Sequence, residues 1–203
     1  MLFVDKNGLV DATRISVKRF RTIERGDMDK VNGIVVHQTY SKTADSTFNS
    51  YQNKDATGAH FLIDKEGVIY QTASLYKMTW HVGLMQSKCY LSKKCEETDL
   101  KTMTSLERTP RSYKKISDIE KEKSFPNRFP ANTDSIGIEI VGMAYKVDGH
   151  KEDVYEEVND KQNSSLKWLV AELIETLSVS RAEIYRHPEI ARKNSTEAST
   201  AIW

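Results

Sequence analysis

Short β-branched runs alternate with polar stretches along this chain, and the spacing of the apolar residues assigns an element to each run. Arg14 to Phe20 alternates, with Ile15 and Val17 on one face of a candidate strand. Gly33-Ile34-Val35-Val36-His37 is short, β-branched and bounded by Asn32-Gly33, which predicts a buried strand ending on a polar residue. Residues 44–52 are polar apart from Phe48 and Tyr51, whose spacing predicts a short helix. Ala59–Ile63 and Val68–Gln71 flank Asp64-Lys65-Glu66-Gly67, a hairpin whose glycine supplies the left-handed conformation of the turn.

Ser135 to Gly142 places Ile136, Ile138 and Ile140 on one strand face, so Glu139 points the other way. The strongest helical pattern covers 164–178, where Leu166, Leu169, Val170, Leu173, Ile174 and Leu177 form one stripe and Asn163 or Ser164 is the expected cap. Glu183–Arg186 reads as a last strand, and Pro188 after His187 is expected to stop its ladder and begin a loop. Strands alternating with helices predict a single α/β (α+β) domain, a central mixed β-sheet flanked by helices.

Residues 1–30 read as an N-terminal extension packed on a domain of residues 31–203. Residues 84–131 read as a long insertion with few periodic apolar positions, and 77–128 carry 12 basic against 7 acidic residues. A connection of that length is usually functional or mobile. It is either a solvated loop with some helix or a lid that meets a substrate or partner.

Composition then removes whole classes of function. The 203 residues are 38% hydrophobic and 29% charged, and a chain of this size buries roughly 70% of the surface its unfolded form exposes. No run approaches the roughly 18 apolar residues of a membrane span, so no membrane insertion is expected. The net charge of +1 lacks the basic surplus of a nucleic-acid binder. The opening MLFVDKNGLVDATR has no apolar run of the secretory-signal kind, which predicts synthesis in the cytoplasm without a signal peptide. Cys89 and Cys95 are neither a Cys-x-x-Cys pair nor half of a zinc site. They are unpaired thiols or a local disulfide of an oxidising compartment, and the disulfide is the expectation.

Chemistry concentrates on the histidines. His37 and His187 each end a strand, where a sheet projects side chains into one cleft. A lone histidine there is ordinarily a core residue. Two of them, with Glu139 and a downstream loop holding Lys193, Ser195 and Glu197, point to a zinc site. His60 and His81 compete for ligand duty. His60 reads equally as a packing residue, and Trp80-His81 as an aromatic and imidazole wall, so His60, Trp80 and His81 are assigned to substrate contact. His150, in a polar turn, reads as solvated.

The order GIVVHQT, GAHFLIDKEGVIYQ, TWHVG, SIGIEIVG and RHPEIARKNSTEAS resembles the zinc-dependent N-acetylmuramoyl-L-alanine amidases of the phage-lysozyme and peptidoglycan-recognition-protein superfamily, over roughly residues 31–200. The resemblance implies that fold, peptidoglycan as substrate and Zn2+ as cofactor. It implies His37 and His187 as zinc ligands, Glu139 as the catalytic carboxylate, and Lys193 as the group that polarises the scissile carbonyl or holds the oxyanion. The tyrosine that some members place before the hairpin histidine is Ala59 here. Two residues beyond the lysine, where the family has a cysteine or aspartate ligand, stands Ser195. A serine hydroxyl is a poor zinc ligand, and in the recognition branch a serine here goes with loss of zinc and of catalysis. Glu197, ten residues after His187, has the offset used by carboxylate-ligand members and completes a His, His, Glu set.

Glu197 is therefore the expected third ligand. The alternative, with Ser195 in the ligand place, is a zinc-free peptidoglycan-binding module, and a third reading is a hydrolase for another bond of the wall. The NTDSIGIEIVG and KNSTEAST segments resemble amidases delivered by type VI secretion. That likeness implies an antibacterial toxin acting in the periplasm of a target bacterium, with an immunity protein as its inhibitor.

Overall fold

The computed structural model describes residues 1–203. In chain order its strands are β1 (Phe3–Val4), β2 (Val10–Asp11), β3 (Ile15–Val17), β4 (Glu24–Asp27), β5 (Gly33–Gln38), β6 (Phe61–Ile63), β7 (Ile69–Gln71), β8 (Lys77–Thr79), β9 (Ser135–Ile140), β10 (Ala144–Tyr145), β11 (Val154–Tyr155) and β12 (Ile184–Arg186). Its helices are α1 (Ala44–Tyr51), α2 (Lys88–Leu91), α3 (Glu97–Glu107), α4 (Tyr113–Glu122), α5 (Asp160–Leu177) and α6 (His187–Ile190). Six strands form a mixed sheet in the order β12-β5-β9-β6-β7-β3, parallel except for the β6–β7 hairpin.

Every residue of β5 is buried because both faces of the sheet are covered. On one face Ile34 and Val36 meet Ile136, Ile138, Ile140, Phe61 and Ile63 under the stripe of α5, whose Leu166, Leu169, Val170 and Leu173 close the main core. Odd-numbered residues of β5 and β9 face the other way. There Val35 packs with Val82, Met85, Phe129 and Ile190, while Leu62 of β6 packs with Phe48 of α1. Residues 1–30 share the main core through Leu2, Val10, Ile15 and Met28, and their β3 is the edge strand of the sheet beside β7.

Three local expectations are corrected. Helix α5 is capped by Asn159 rather than by Asn163 or Ser164. The Asn159 side chain accepts from the Gln162 N–H, and Gln162 Oε1 accepts from the Asn159 N–H, a reciprocal box in a polar first turn that apolar periodicity does not register. His187-Pro188 opens α6 instead of a loop, since a proline in the first helical turn lacks only an N–H that would have no partner.

Residues 84–131, third, are largely helical. Met103 of α3 and Ile116 of α4 are buried. The Met85 N–H donates to Ser117 Oγ, the Lys88 N–H to buried Glu120, and Arg192 pairs with Glu107 while lying over the Tyr113 ring. The inserted helices are thus docked on the sheet domain. Cys89 and Cys95 are joined in a disulfide between α2 and the start of α3.

Gly67 tests the hairpin against the helix. Its φ is +80°, and a Cβ there would stand 2.8 Å from the Lys161 carbonyl oxygen of α5. Gly67→Ala is expected to lower stability by about 1–3 kcal/mol, from left-handed strain together with backbone overlap. Urea denaturation of the two proteins measures the difference.

Candidate metal centre

Alternation along parallel strands assembles the site. His37 pairs in register with Glu139, and Arg186 with Val36, so His187, one residue on, comes level with His37. All three side chains leave the same face at the carboxyl ends of their strands, where open α/β sheets place ligands. The loop after α6 returns Glu197 to them. Its far end is anchored by Arg186, which donates to the Ala198 and Ala201 carbonyls, and by Gln38, which accepts from the Ala198 N–H.

His37 Nδ1 lies 2.8 Å from His187 Nδ1 and 3.5 Å from Glu197 Oε1, and His187 Nδ1 lies 2.9 Å from the same oxygen. All three residues are buried. Hydrogen-bond partners fix which ring nitrogens carry protons. His187 Nε2–H donates to the Val82 carbonyl at 2.8 Å, which leaves its Nδ1 as an acceptor. Ser135 donates its hydroxyl proton to the Ala131 carbonyl and so accepts from His81 Nε2–H; His81 Nδ1 then accepts from His37 Nε2–H. His37 Nδ1 is therefore an acceptor too.

Three electron pairs face one another with no hydrogen to share. Atoms that share one zinc at about 2.0–2.1 Å stand roughly 3.3 Å apart, so shifts of about half an ångström seat one ion among these three. The donor set, two neutral imidazoles and one carboxylate, suits zinc, and the partners on the far ring nitrogens are the supports that metal-binding histidines ordinarily have.

Electrostatics agrees with the donor set. Burial, then repulsion from His187, holds His37 down at about 4, so it is neutral at neutral pH. Glu139 is pushed up to about 8 by burial and by the Glu197 charge, with Lys193 opposing, and its buried Oε2 has no hydrogen-bond partner.

The centre opens into a cleft of about 910 Å³ that Glu139, Lys193, Trp80 and His81 also line. Ser195 lies outside it, exposed, with its N–H and hydroxyl donated to Glu152 at 3.0 and 3.1 Å. The premise of a zinc-free module, a serine in the ligand place, is absent from this geometry. His60 is corrected as a substrate contact. It is fully buried, its Nδ1 accepting from the Gly137 N–H and its Nε2–H donating to the Lys77 carbonyl, so neither nitrogen is free. His81 lines the cleft as expected, but both its nitrogens are engaged, by His37 and Ser135, in the chain that orients His37.

Trp80 is 43% exposed in the cleft wall, with the Arg25 guanidinium 4.1 Å from its ring centroid. Sequence reasoning missed Ser135, the first residue of the SIGIEIVG strand, and Asn132, whose Oδ1 accepts from the His81 and Val82 N–H groups. It also missed Gly137, where a Cβ would stand 2.9 Å from the His81 ring. A glycine between isoleucines is the one signal that a ring lies against that strand.

Residues 27–199 match the family model described as N-acetylmuramoyl-L-alanine amidase (Amidase_2). No curated protein matches the chain closely enough to count as a relative. Among solved structures, a selenomethionine derivative of AmpD is similar at 17% identity over 96% of this chain and 91% of that one, with a TM-score of 0.53. The PlyG catalytic domain is similar at 17% identity over 88% and 81%, with a TM-score of 0.52. The N-acetylmuramoyl-L-alanine amidase LysC from Clostridium intestinale URNW is similar at 14% identity over 94% and 92%, with a TM-score of 0.50. At these identities the likeness establishes the fold.

Two outcomes test the centre by metal analysis and zinc titration. Glu197→Ala is expected to lose the metal, whereas Ser195→Ala keeps it, because only Glu197 faces the two imidazoles. Ser135→Ala, which removes the far end of the chain orienting His37, should weaken zinc affinity roughly 10- to 100-fold with the fold intact by circular dichroism.

Proposed function

The chain belongs to the N-acetylmuramoyl-L-alanine amidase family, and from that premise we propose that it hydrolyses the amide between the lactyl group of N-acetylmuramic acid and the L-alanine of the stem peptide. In this reading His37, His187 and Glu197 hold zinc, Glu139 moves the proton and Lys193 stabilises the oxyanion. The observation that carries it is Glu139, which lines the same cleft as the three facing acceptors and whose Oε2 makes no hydrogen bond within the protein. A buried carboxylate without a partner is costly unless it has work to do.

A zinc ion bound at this centre supplies Lewis acidity and brings the pKa of water to about 7. Glu139 takes the proton of the attacking water on its carboxylate and returns it to the leaving nitrogen of L-alanine. Burial and the Glu197 charge raise its affinity for protons, Lys193 opposes them, and a cation among the three ligands would lower it further, so that the group is ionised to accept the proton and still able to give it up. Lys193 is exposed at the cleft and reaches over Gly83, where no side chain intervenes, so its ammonium is available to the developing oxyanion.

We read the enzyme as acting outside a reducing compartment, which the Cys89–Cys95 disulfide supports. We extend the reading to type VI delivery, an antibacterial role and a cognate immunity protein on the likeness of the NTDSIGIEIVG and KNSTEAST segments.

Mass spectrometry of digested peptidoglycan names the bond. Free stem peptides beginning with L-alanine and glycans with intact lactyl groups are the expected products; cleavage within the peptide or the glycan would overturn the proposal. Glu139→Gln should retain zinc and lower turnover at least roughly 100-fold, as expected when an acid–base group is lost.

A further inference from the structure

Resting on the amidase reading, we propose that the cleft wall formed with the inserted helices is the stem-peptide subsite, where Lys121 of α4 pairs with the first free carboxylate beyond the scissile amide. The two walls of the cleft differ in chemistry. Helix α1, packed over β6, presents Ser46, Thr47 and Ser50, a hydroxyl-bearing face. The opposite wall, built on β5 and β12 by the loop after β8 and by α4, presents Trp80, Leu84 and Lys121. Next to it a recess of about 260 Å³, lined by Met78, Val82 and Met85, shares Trp80 and Lys121 with the cleft.

The scissile amide joins two unlike halves. One is a sugar derivative whose hydroxyl and acetamido groups hydrogen-bond, and the other is a peptide with methyl side chains and carboxylates. Only the second wall offers a cation next to apolar surface, so the peptide runs along it and the glycan along α1. The first acidic group past the amide is the α-carboxylate of the second residue, a γ-linked D-glutamate that some walls carry as the free acid and others as the amide.

Lys121 is available for that group. It makes no ion pair, because Asp118, one turn back on α4, pairs with Lys114 at 2.7 Å, and Glu120 is turned inward to Lys88 and Lys123. Its position is set by the docking of α4 through Ser117 and Tyr113.

The test uses two muramyl tetrapeptides, both amidated at the C-terminus, that differ only in carrying D-glutamate or D-isoglutamine at the second position. With the zinc-loaded wild type and Lys121→Ala, KM for the D-glutamate substrate should rise about three- to tenfold in the variant. KM for the D-isoglutamine substrate should stay unchanged, and kcat should stay within about twofold for both. Lys121→Glu should reverse the preference between the two substrates. Equal shifts for the two substrates, or none, would overturn the subsite. If the wild type cleaves neither, the amidase reading fails separately. Calorimetric Kd values for the same two peptides then carry the same acid-against-amide comparison, with a loss confined to the acid supporting the subsite and any other result overturning it.

Discussion

His37 Nδ1, His187 Nδ1 and Glu197 Oε1 repel one another unless a cation lies among them, and the protein holds them together by bonds made on the far side of each ring. The Val82 carbonyl fixes one imidazole; His81, Ser135 and the Ala131 carbonyl fix the other in series. Buried acceptors without donors are unfavourable, so the arrangement persists because the opposite face of the sheet supplies the cohesion. That face is wholly apolar where it meets α5. Stability and chemistry are thus divided between the even and odd positions of the same strands, and one slip of register would exchange them.

The inserted helices extend this division to the rim of the cleft. Their inward residues, Met103, Ile116 and Glu120, are satisfied within the fold, and their outward residues are mostly polar or charged. The wall is tied to the sheet domain at Met85, Lys88 and Arg192.

Much of this was legible in the chain because the elements that build the site are long and apolar on one face. β5, β9, the β6–β7 hairpin, α5 and the last strand follow from spacing, which sets His37, Glu139 and His187 at strand ends, while their roles rest on the family resemblance. The strands β1, β2, β4, β8, β10 and β11 are two to four residues long and carry too little periodicity to be seen. Helices α3 and α4 bury so few side chains that charge masks their pattern. The roles of His60 and His81 were not legible for a different reason. Both are buried imidazoles beside small or aromatic residues, and what separates them is whether their nitrogens meet Lys77 and Gly137 or His37 and Ser135, partners that only the folded chain brings near. Between Ser195 and Glu197 local spacing gave opposite answers, and the loop anchored at Ala198 brings Glu197, not Ser195, to the two imidazoles.

Gly137 shows how closely two separate motifs are bound together. The His81 ring lies where a side chain on Gly137 would be, so the glycine of the SIGIEIVG strand and the histidine of the TWHVG segment are one steric unit split across 56 residues of chain. Neither can drift alone. A methyl group gained at 137 displaces the imidazole, while loss of the imidazole leaves a void above a bare backbone. Among descendants of this sequence the two positions should therefore change together or not at all, as an inherited pair whose coupling can be read without any knowledge of the metal.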